Sequence, residues 1–120
     1  MEPRPGEVTF DDFQKLDIRV GRIIGVGRND KARVPAYTLR VDFGDALGMK
    51  QSSAQITDAY TTEELIGRLV LAVVNFPPRR VAGFKSEVLV LGVYSNGGNG
   101  PVVLVAPDGH EAVRPGDRLG

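Results

Sequence analysis

Short stretches of the chain alternate apolar and polar residues, which is the pattern of β-strands that bury one face. The clearest stretch is Tyr37–Phe43, where Tyr, Leu, Val and Phe alternate with Thr, Arg and Asp. A second alternation runs from Leu16 to Gly25 and predicts a strand with a glycine kink. Runs rich in valine and leucine predict three further strands, at residues 69–74, 86–94 and 101–107.

Helix-capping residues predict two short helical segments. Thr9 precedes two phenylalanines that lie three residues apart and share one face of a helical turn. Thr61 is followed three residues later by Glu64, which is the spacing of a capping box, and Gly67 can end that helix. The segment Met49–Ile56, before this second helix, is long enough for a strand, although its glutamines and serines make it unusually polar.

The order of these elements predicts the fold class. Strands joined by short loops, with one short helix between the third and fourth strands, are typical of an all-β, five-stranded barrel of the OB type with short terminal extensions. An immunoglobulin-like sandwich has a similar number of strands but does not predict a helix in the middle of the chain. We expect residues 1–8 to form a flexible N-terminal arm and residues 9–120 to form a single domain.

Composition narrows the range of functions. The 15 basic residues balance the 15 acidic ones, so any attraction to nucleic acid must be local. The chain has no cysteine, and its one histidine, His110, lies in a PDGHE turn where an exposed residue is far more common than a catalytic base. We find no nucleophile with a base, no paired carboxylates, no metal cluster and no cofactor loop. We therefore expect a non-enzymatic, cytoplasmic protein without metal or cofactor.

The segment Asn75–Gly92 is the strongest candidate for a binding surface. Pro77 and Pro78 restrict the backbone immediately before Arg79 and Arg80. Guanidinium groups bind phosphates through paired hydrogen bonds, and a stiff cationic corner loses little entropy when it does so. The pattern predicts a rigid basic corner that is suited to phosphate.

The neighbours of this corner leave its ligand open. Lys85 adds a third cation, but these cations could instead form ion pairs with Glu87 or Asp42 at a sheet edge. Phe76 and Phe84 are of a type that is usually buried; if exposed, they would stack on bases or contact the apolar side chains of a peptide. The sequence pattern does not choose between RNA and peptide.

Long stretches of the chain resemble the tRNA-binding-domain family, whose OB-fold modules occur alone and attached to aminoacyl-tRNA synthetases. The matching stretches are FQKLDIRVGRI at Phe13–Ile23, TTEELIGRLVLAVVNFPPRR at Thr61–Arg80 and GFKSEVLVLG at Gly83–Gly92. Together with KQSSAQI at Lys50–Ile56, they are most similar to a branch of stand-alone chaperones linked to protein export. The resemblance implies a cytosolic homodimer with two partners: tRNA or other structured RNA, and unfolded preproteins. We expect no membrane insertion, because no apolar run in the sequence approaches the length that spans a bilayer.

The resemblance also implies which residues bind. The RNA-binding surface of the family corresponds in this chain to residues of a strand, of a strand end and of the basic corner. These residues are Gln51, Ser52, Asn75, Arg79, Arg80, Lys85 and Ser86. A peptide pocket is expected at Phe76, Val81 and Phe84. Glu87 places an acid within this surface, which favours the alternative of a peptide-binding secretion chaperone with no physiological RNA ligand.

Overall fold

The computed structural model describes residues 6–120, so most of the predicted arm, residues 1–5, lies outside the described residues. The helices are α1 (Phe10–Gln14) and α2 (Thr62–Leu65), with a 3-10 turn at Asn96–Gly98. The strands in chain order are β1 (Ile18–Arg28), β2 (Tyr37–Asp42), β3 (Met49–Ala54), β4 (Leu69–Val73), β5 (Arg79–Val81), β6 (Phe84–Ser86), β7 (Leu89–Val90), β8 (Gly92–Tyr94) and β9 (Val102–Leu104).

Five strands form one antiparallel sheet in the order β3-β2-β1-β4-β7, and the sheet curls into a nearly closed barrel. Its two edge strands are β3 and β7, and they approach each other at the start of β7. There the backbone N–H of Glu87, two residues before β7, donates to the Gln51 carbonyl oxygen of β3 at 2.8 Å. Two hairpins, β5–β6 and β8–β9, extend from this sheet. The predicted five-stranded OB-type barrel, with α2 between β3 and β4, is confirmed.

The long strand β1 bends because it holds one extra residue. Its pairing with β2 shifts between Ile23 and Gly25, which leaves Ile24 as a bulge next to the predicted glycine kink. The first half of β1 pairs with β4 and the second half with β2, so one strand joins both sides of the barrel. The C-terminal segment pairs with the first half of β1, which β2 does not reach: the Val20 N–H donates to the Asp117 carbonyl oxygen at 2.9 Å.

The core follows from the period-two pattern of β1 and β2. Ile18, Val20 and Ile23 of β1 are buried, as are the alternate residues of β2 and Phe43 after it. Gly21 is also buried, and a Cβ there would lie 2.7 Å from Phe43 Cε1, so the barrel is closed around a position that has room only for hydrogen. The core cluster consists of Ile23, Tyr37, Leu39, Val41, Phe43, Ala54, Ile56, Leu65, Val70, Ala72 and Val88.

Both predicted helix caps are present. The Thr9 side chain accepts from the Asp12 N–H, and the Thr61 side chain accepts from the Glu64 N–H. In return, the side chains of Asp12 and Glu64 accept from the N–H groups of Thr9 and Thr61. These reciprocal bonds satisfy backbone donors that a helix of one turn cannot satisfy itself.

The segment after β4 differs from the sequence prediction. The proline corner is followed by the hairpin β5–β6 rather than by a simple turn, and the predicted strand 86–94 is divided into the end of β6, then β7 and β8. A Cβ at Gly92 would lie 3.1 Å from the Val103 carbonyl oxygen, so the chain packs tightly where β8 begins its pairing with β9.

Candidate nucleic-acid interface

The hairpin β5–β6 presents two different faces. Its register pairs Arg79 with Ser86, Arg80 with Lys85, and Val81 with Phe84. Because successive side chains of a strand point to opposite sides, Arg80 and Lys85 share one face, while the other two pairs share the face that includes the buried Ser86. We call the surface formed by Arg80 and Lys85 the outer face of the hairpin.

The turn of this hairpin has the backbone that a two-residue connection requires. Ala82 has φ 50 and Gly83 has φ 84, so both central residues are in the left-handed region. Two successive residues with positive φ are typical of the type I′ turn, whose twist matches that of the strands it joins. Glycine adopts this conformation freely, whereas alanine adopts it at a cost of about 1 kcal/mol. The tight turn fixes the register that places Arg80 opposite Lys85.

The outer face carries two positive charges without a partner of opposite sign. Arg80 and Lys85 are exposed and directly opposite each other, and neither forms an ion pair within residues 6–120. Arg80 Nη1 donates to the Gly83 carbonyl oxygen at 3.3 Å, which is a bond within the hairpin turn. Like charges directly opposite in a sheet destabilise it by about 0.2–1 kcal/mol. An anion that binds between them would remove that repulsion.

Three side-chain bonds attach the hairpin to β3. The Ser53 N–H donates to Ser86 Oγ at 3.0 Å, and the Gln51 N–H donates to Glu87 Oε1 at 3.2 Å. Gln51 Nε2 also donates to the Lys85 carbonyl oxygen at 2.8 Å. These bonds replace part of a regular backbone ladder and hold the strand that carries Lys85 against the barrel.

These contacts give several of the predicted RNA-binding residues a positioning role. Ser86 is 7% exposed and Ser52 is 0% exposed, so neither presents a hydroxyl to the surface. Gln51 uses its amide N–H to hold the hairpin. The structure therefore leaves Ser52 inside the barrel and uses Gln51 and Ser86 to hold the hairpin.

Asn75, another predicted RNA-binding residue, connects the end of β4 to the N-terminal helix. Its Oδ1 accepts from the Asp17 N–H at 2.9 Å, and its Nδ2 donates to the Lys15 carbonyl oxygen at 2.7 Å. Both ends of the amide are used in the link between α1 and β1. Asn75 thus links the end of β4 to the segment between α1 and β1.

A cleft lies beside the hairpin, between the proline segment and the barrel edge. It has a volume of ≈ 430 Å³ and is lined by Ser53, residues 76–79 and residues 86–89; we call it the proline cleft. Phe76 is 45% exposed at this cleft. Val81 lines a second cleft of ≈ 330 Å³, while Phe84 lines neither, so the three predicted peptide-pocket residues do not share one cavity.

The ion pairs that the sequence left open are not formed. Within residues 6–120, Glu87 and Asp42 make no salt bridge: Glu87 accepts from the Gln51 N–H, and Asp42 Oδ1 accepts from the Gly44 N–H at 2.9 Å. The sequence did not predict one further contact of the hairpin, in which Asn29 Nδ2 donates to the Val81 carbonyl oxygen at 2.9 Å. These residues are 52 positions apart, and no local sequence signal joins them.

Other chemistry is sparse in the described residues. No group of three or more His, Cys, Asp and Glu side chains within residues 6–120 could hold a metal ion. His110 is exposed, and its Nδ1 accepts from the Ala112 N–H at 3.1 Å within a turn. No helix in the described part of the chain is both long and apolar enough to cross a bilayer.

Known proteins that match the chain share its fold and much of its sequence. A CsaA chaperone from Picrophilus torridus is 48% identical with a TM-score of 0.86, over 95% of this chain and 100% of that one. A CsaA chaperone from Bacillus anthracis str. Ames is 51% identical with a TM-score of 0.85, over 95% of this chain and 99% of that one.

The curated relatives include much longer proteins. The methionine–tRNA ligase of Archaeoglobus fulgidus is 34% identical over 113 residues, which are 94% of this chain but only 16% of that enzyme. The chain therefore spans about a sixth of the length of this relative. The family model described as "Putative tRNA binding domain" matches residues 18–117. The chain belongs to this tRNA-binding-domain family.

Proposed function

We propose that this protein binds tRNA, or structured RNA of similar shape, through the outer face of the β5–β6 hairpin, and that it is not an enzyme. The observation that carries the proposal is the pair Arg80 and Lys85, two exposed cations that lie opposite each other and form no ion pair with an acid of residues 6–120. Membership of the tRNA-binding-domain family and the methionine–tRNA ligase relatives support an RNA ligand.

Recognition of this kind depends on phosphates and shape more than on base sequence. Arginine and lysine bind phosphate oxygens, and such contacts set the position of a nucleic acid without reading its bases. Helical RNA has a deep, narrow major groove that side chains cannot read, so its phosphates and the 2′-hydroxyls of its shallow minor groove are the parts that a protein contacts. A chain with zero net charge has only such local cations to offer, and its affinity should fall with salt.

Charge reversal tests this interface. We expect the double variant Arg80→Glu, Lys85→Glu to lose the shift of labelled tRNA in a gel at low salt. Arg114→Glu is the control for reversal of one exposed charge elsewhere, because Arg114 lies in the C-terminal segment, two residues before Gly116, whose N–H donates to the Val20 carbonyl oxygen of β1. Retention of tRNA by the double variant would remove the hairpin from the proposed interface.

We propose a second activity, the binding of unfolded preproteins as a chaperone. The CsaA proteins to which the chain is similar are described as chaperones, and the proline cleft exposes Phe76 beside Pro77 and Pro78. A cleft of this volume can hold one or two side chains of an extended peptide. Protection of a denatured client from aggregation in high salt, lost in Phe76→Asp, would support this activity. No protection at any molar ratio would refute it.

We further propose that the protein acts in the cytoplasm as a homodimer built with its terminal segments. Phe10 of α1 is 67% exposed and Leu119 is 39% exposed, and both line one cleft of ≈ 190 Å³. Burying their apolar surface against a second copy of the chain would stabilise the dimer by about 25 cal/mol per Å². Light scattering should give twice the chain mass, and Phe10→Asp should give the mass of one chain; a wild-type monomer would refute the dimer.

A further inference from the structure

The proline cleft contains a cation and an anion that do not neutralise each other. Arg79 and Glu87 both line the cleft, yet within residues 6–120 neither forms an ion pair. Glu87 Oε1 accepts one N–H, from Gln51 at 3.2 Å. A carboxylate has about four acceptor positions, so most of its capacity remains for a ligand. Such a cleft is complementary to a ligand with an anionic group and a set of N–H donors.

The remaining walls of the cleft are suited to a flat ring. Phe76 is 45% exposed, and Pro77 and Pro78 follow it along the same wall. Bases stack on aromatic side chains in a sequence-tolerant way, and an arginine beside them binds the phosphate. The volume of ≈ 430 Å³ lies within the range of small-molecule sites. The aromatic wall, the guanidinium and the carboxylate are therefore suited to the ring face, the phosphate and the hydrogen-bonding edge of one nucleotide.

We propose that the proline cleft receives one unstacked base of the bound RNA and that Glu87 selects guanine. This inference rests on the proposed RNA-binding function. The guanine edge presents two adjacent donors, N1–H and the exocyclic amino group, to the two oxygens of a carboxylate. Uracil presents one N–H between two carbonyl oxygens, which a carboxylate repels. Arg79 binds the phosphate of the same nucleotide, and Phe76 stacks on the base.

This role for Glu87 differs from a purely structural one. The contact with the Gln51 N–H requires one acceptor oxygen, which a glutamine also supplies. Glu87→Gln therefore retains the bond to β3 and removes the negative charge that selects guanine. If Glu87 were only structural, its neutralisation would raise affinity equally for every RNA, because an acid beside the hairpin repels phosphate.

The experiment measures binding of short labelled ribo-oligonucleotides that differ at one central base. Wild-type protein should bind the guanine oligonucleotide about tenfold more tightly than the uracil one, as expected for hydrogen bonds to a charged group. Inosine, which lacks the exocyclic amino group, should fall between them. Glu87→Gln should reduce the guanine-to-uracil ratio to about one, while Glu63→Gln, an exposed acid on α2, should leave it unchanged.

Each outcome separates this inference from the function on which it rests. Equal affinity of wild-type protein for guanine, inosine and uracil overturns guanine selection but leaves RNA binding intact. An unchanged ratio in Glu87→Gln overturns the role of that residue. Failure of tRNA and all oligonucleotides to bind overturns the proposed function itself. Weaker binding of a basic peptide by Glu87→Gln, with the guanine-to-uracil ratio unchanged, assigns Glu87 to the peptide and overturns the inference.

Discussion

Neutralising the outer face should make the protein more stable and at the same time weaken its hold on RNA. Arg80 and Lys85 are directly opposite each other on neighbouring strands and have no acidic partner within residues 6–120. Their mutual repulsion costs the folded hairpin about 0.2–1 kcal/mol. The double variant Arg80→Gln, Lys85→Gln removes this cost, so its free energy of unfolding should rise by up to that amount.

The effect on RNA binding has the opposite sign. Each cation that neutralises a phosphate adds about 0.7–0.9 to the slope of log affinity against log salt. Two such contacts contribute a slope of about 1.6, which makes the wild-type affinity fall roughly tenfold more than that of the variant between 50 and 200 mM salt. Filter binding or fluorescence anisotropy with tRNA at several salt concentrations measures both slopes.

Urea denaturation of the same preparations supplies the stability comparison. Arg114→Gln is the control for both measurements, because it removes one exposed charge from the C-terminal segment that pairs with β1. Loss of RNA affinity together with loss of stability would indicate a damaged hairpin. An unchanged salt slope in the double variant would refute phosphate binding at this face.

Three further substitutions test other parts of the structure. Gly21→Ala places a Cβ 2.7 Å from Phe43 Cε1, so it should lower the free energy of unfolding by about 1–3 kcal/mol in urea denaturation; wild-type stability would contradict this packing. Asn75→Ala removes the bonds to Asp17 and Lys15, so it should speed amide exchange in α1 and leave tRNA affinity unchanged. A lower tRNA affinity would instead indicate that Asn75 contacts the RNA directly. The Thr61 N–H holds the pKa of Glu64 below its usual value of 4.5, so this group stabilises the folded protein above that pH and ceases to do so as the pH falls through its lowered pKa. The melting temperature of Glu64→Gln should therefore fall less steeply at acidic pH than that of the wild-type protein. Identical curves of melting temperature against pH would refute this contribution of Glu64.

Local patterns predicted much of the barrel because they depend on neighbouring residues alone. The alternation in Tyr37–Phe43 gave β2, and the spacing of Thr61 and Glu64 gave the cap of α2. The pattern of Met49–Ile56 was long enough for β3, but it could not show that Ser52 points inward. Alternation of apolar and polar residues shows which side chains share a face of a strand. Whether that face is buried depends on what packs against it.

The candidate site was predicted only in part. The segment with Arg79, Arg80 and Lys85 was identified, because prolines and clustered arginines are visible in sequence. Its hairpin was not predicted, since the tight turn uses Ala82, a residue that rarely has positive φ. The side chains of Gln51 and Asn75 were expected to face RNA, and the structure shows them bonded to distant backbone.

The sequence by itself determined the strand pattern, the helix caps, the neutral overall charge and the place where the cations cluster. Only the tertiary structure decided that Arg80 and Lys85 share an outer face and that Arg79 and Glu87 share a cleft. The physical reason is the range of the interactions. Strand alternation and capping act over a few residues, whereas the bond between Ser53 and Ser86 joins positions 33 apart, and that between Asp17 and Asn75 joins positions 58 apart.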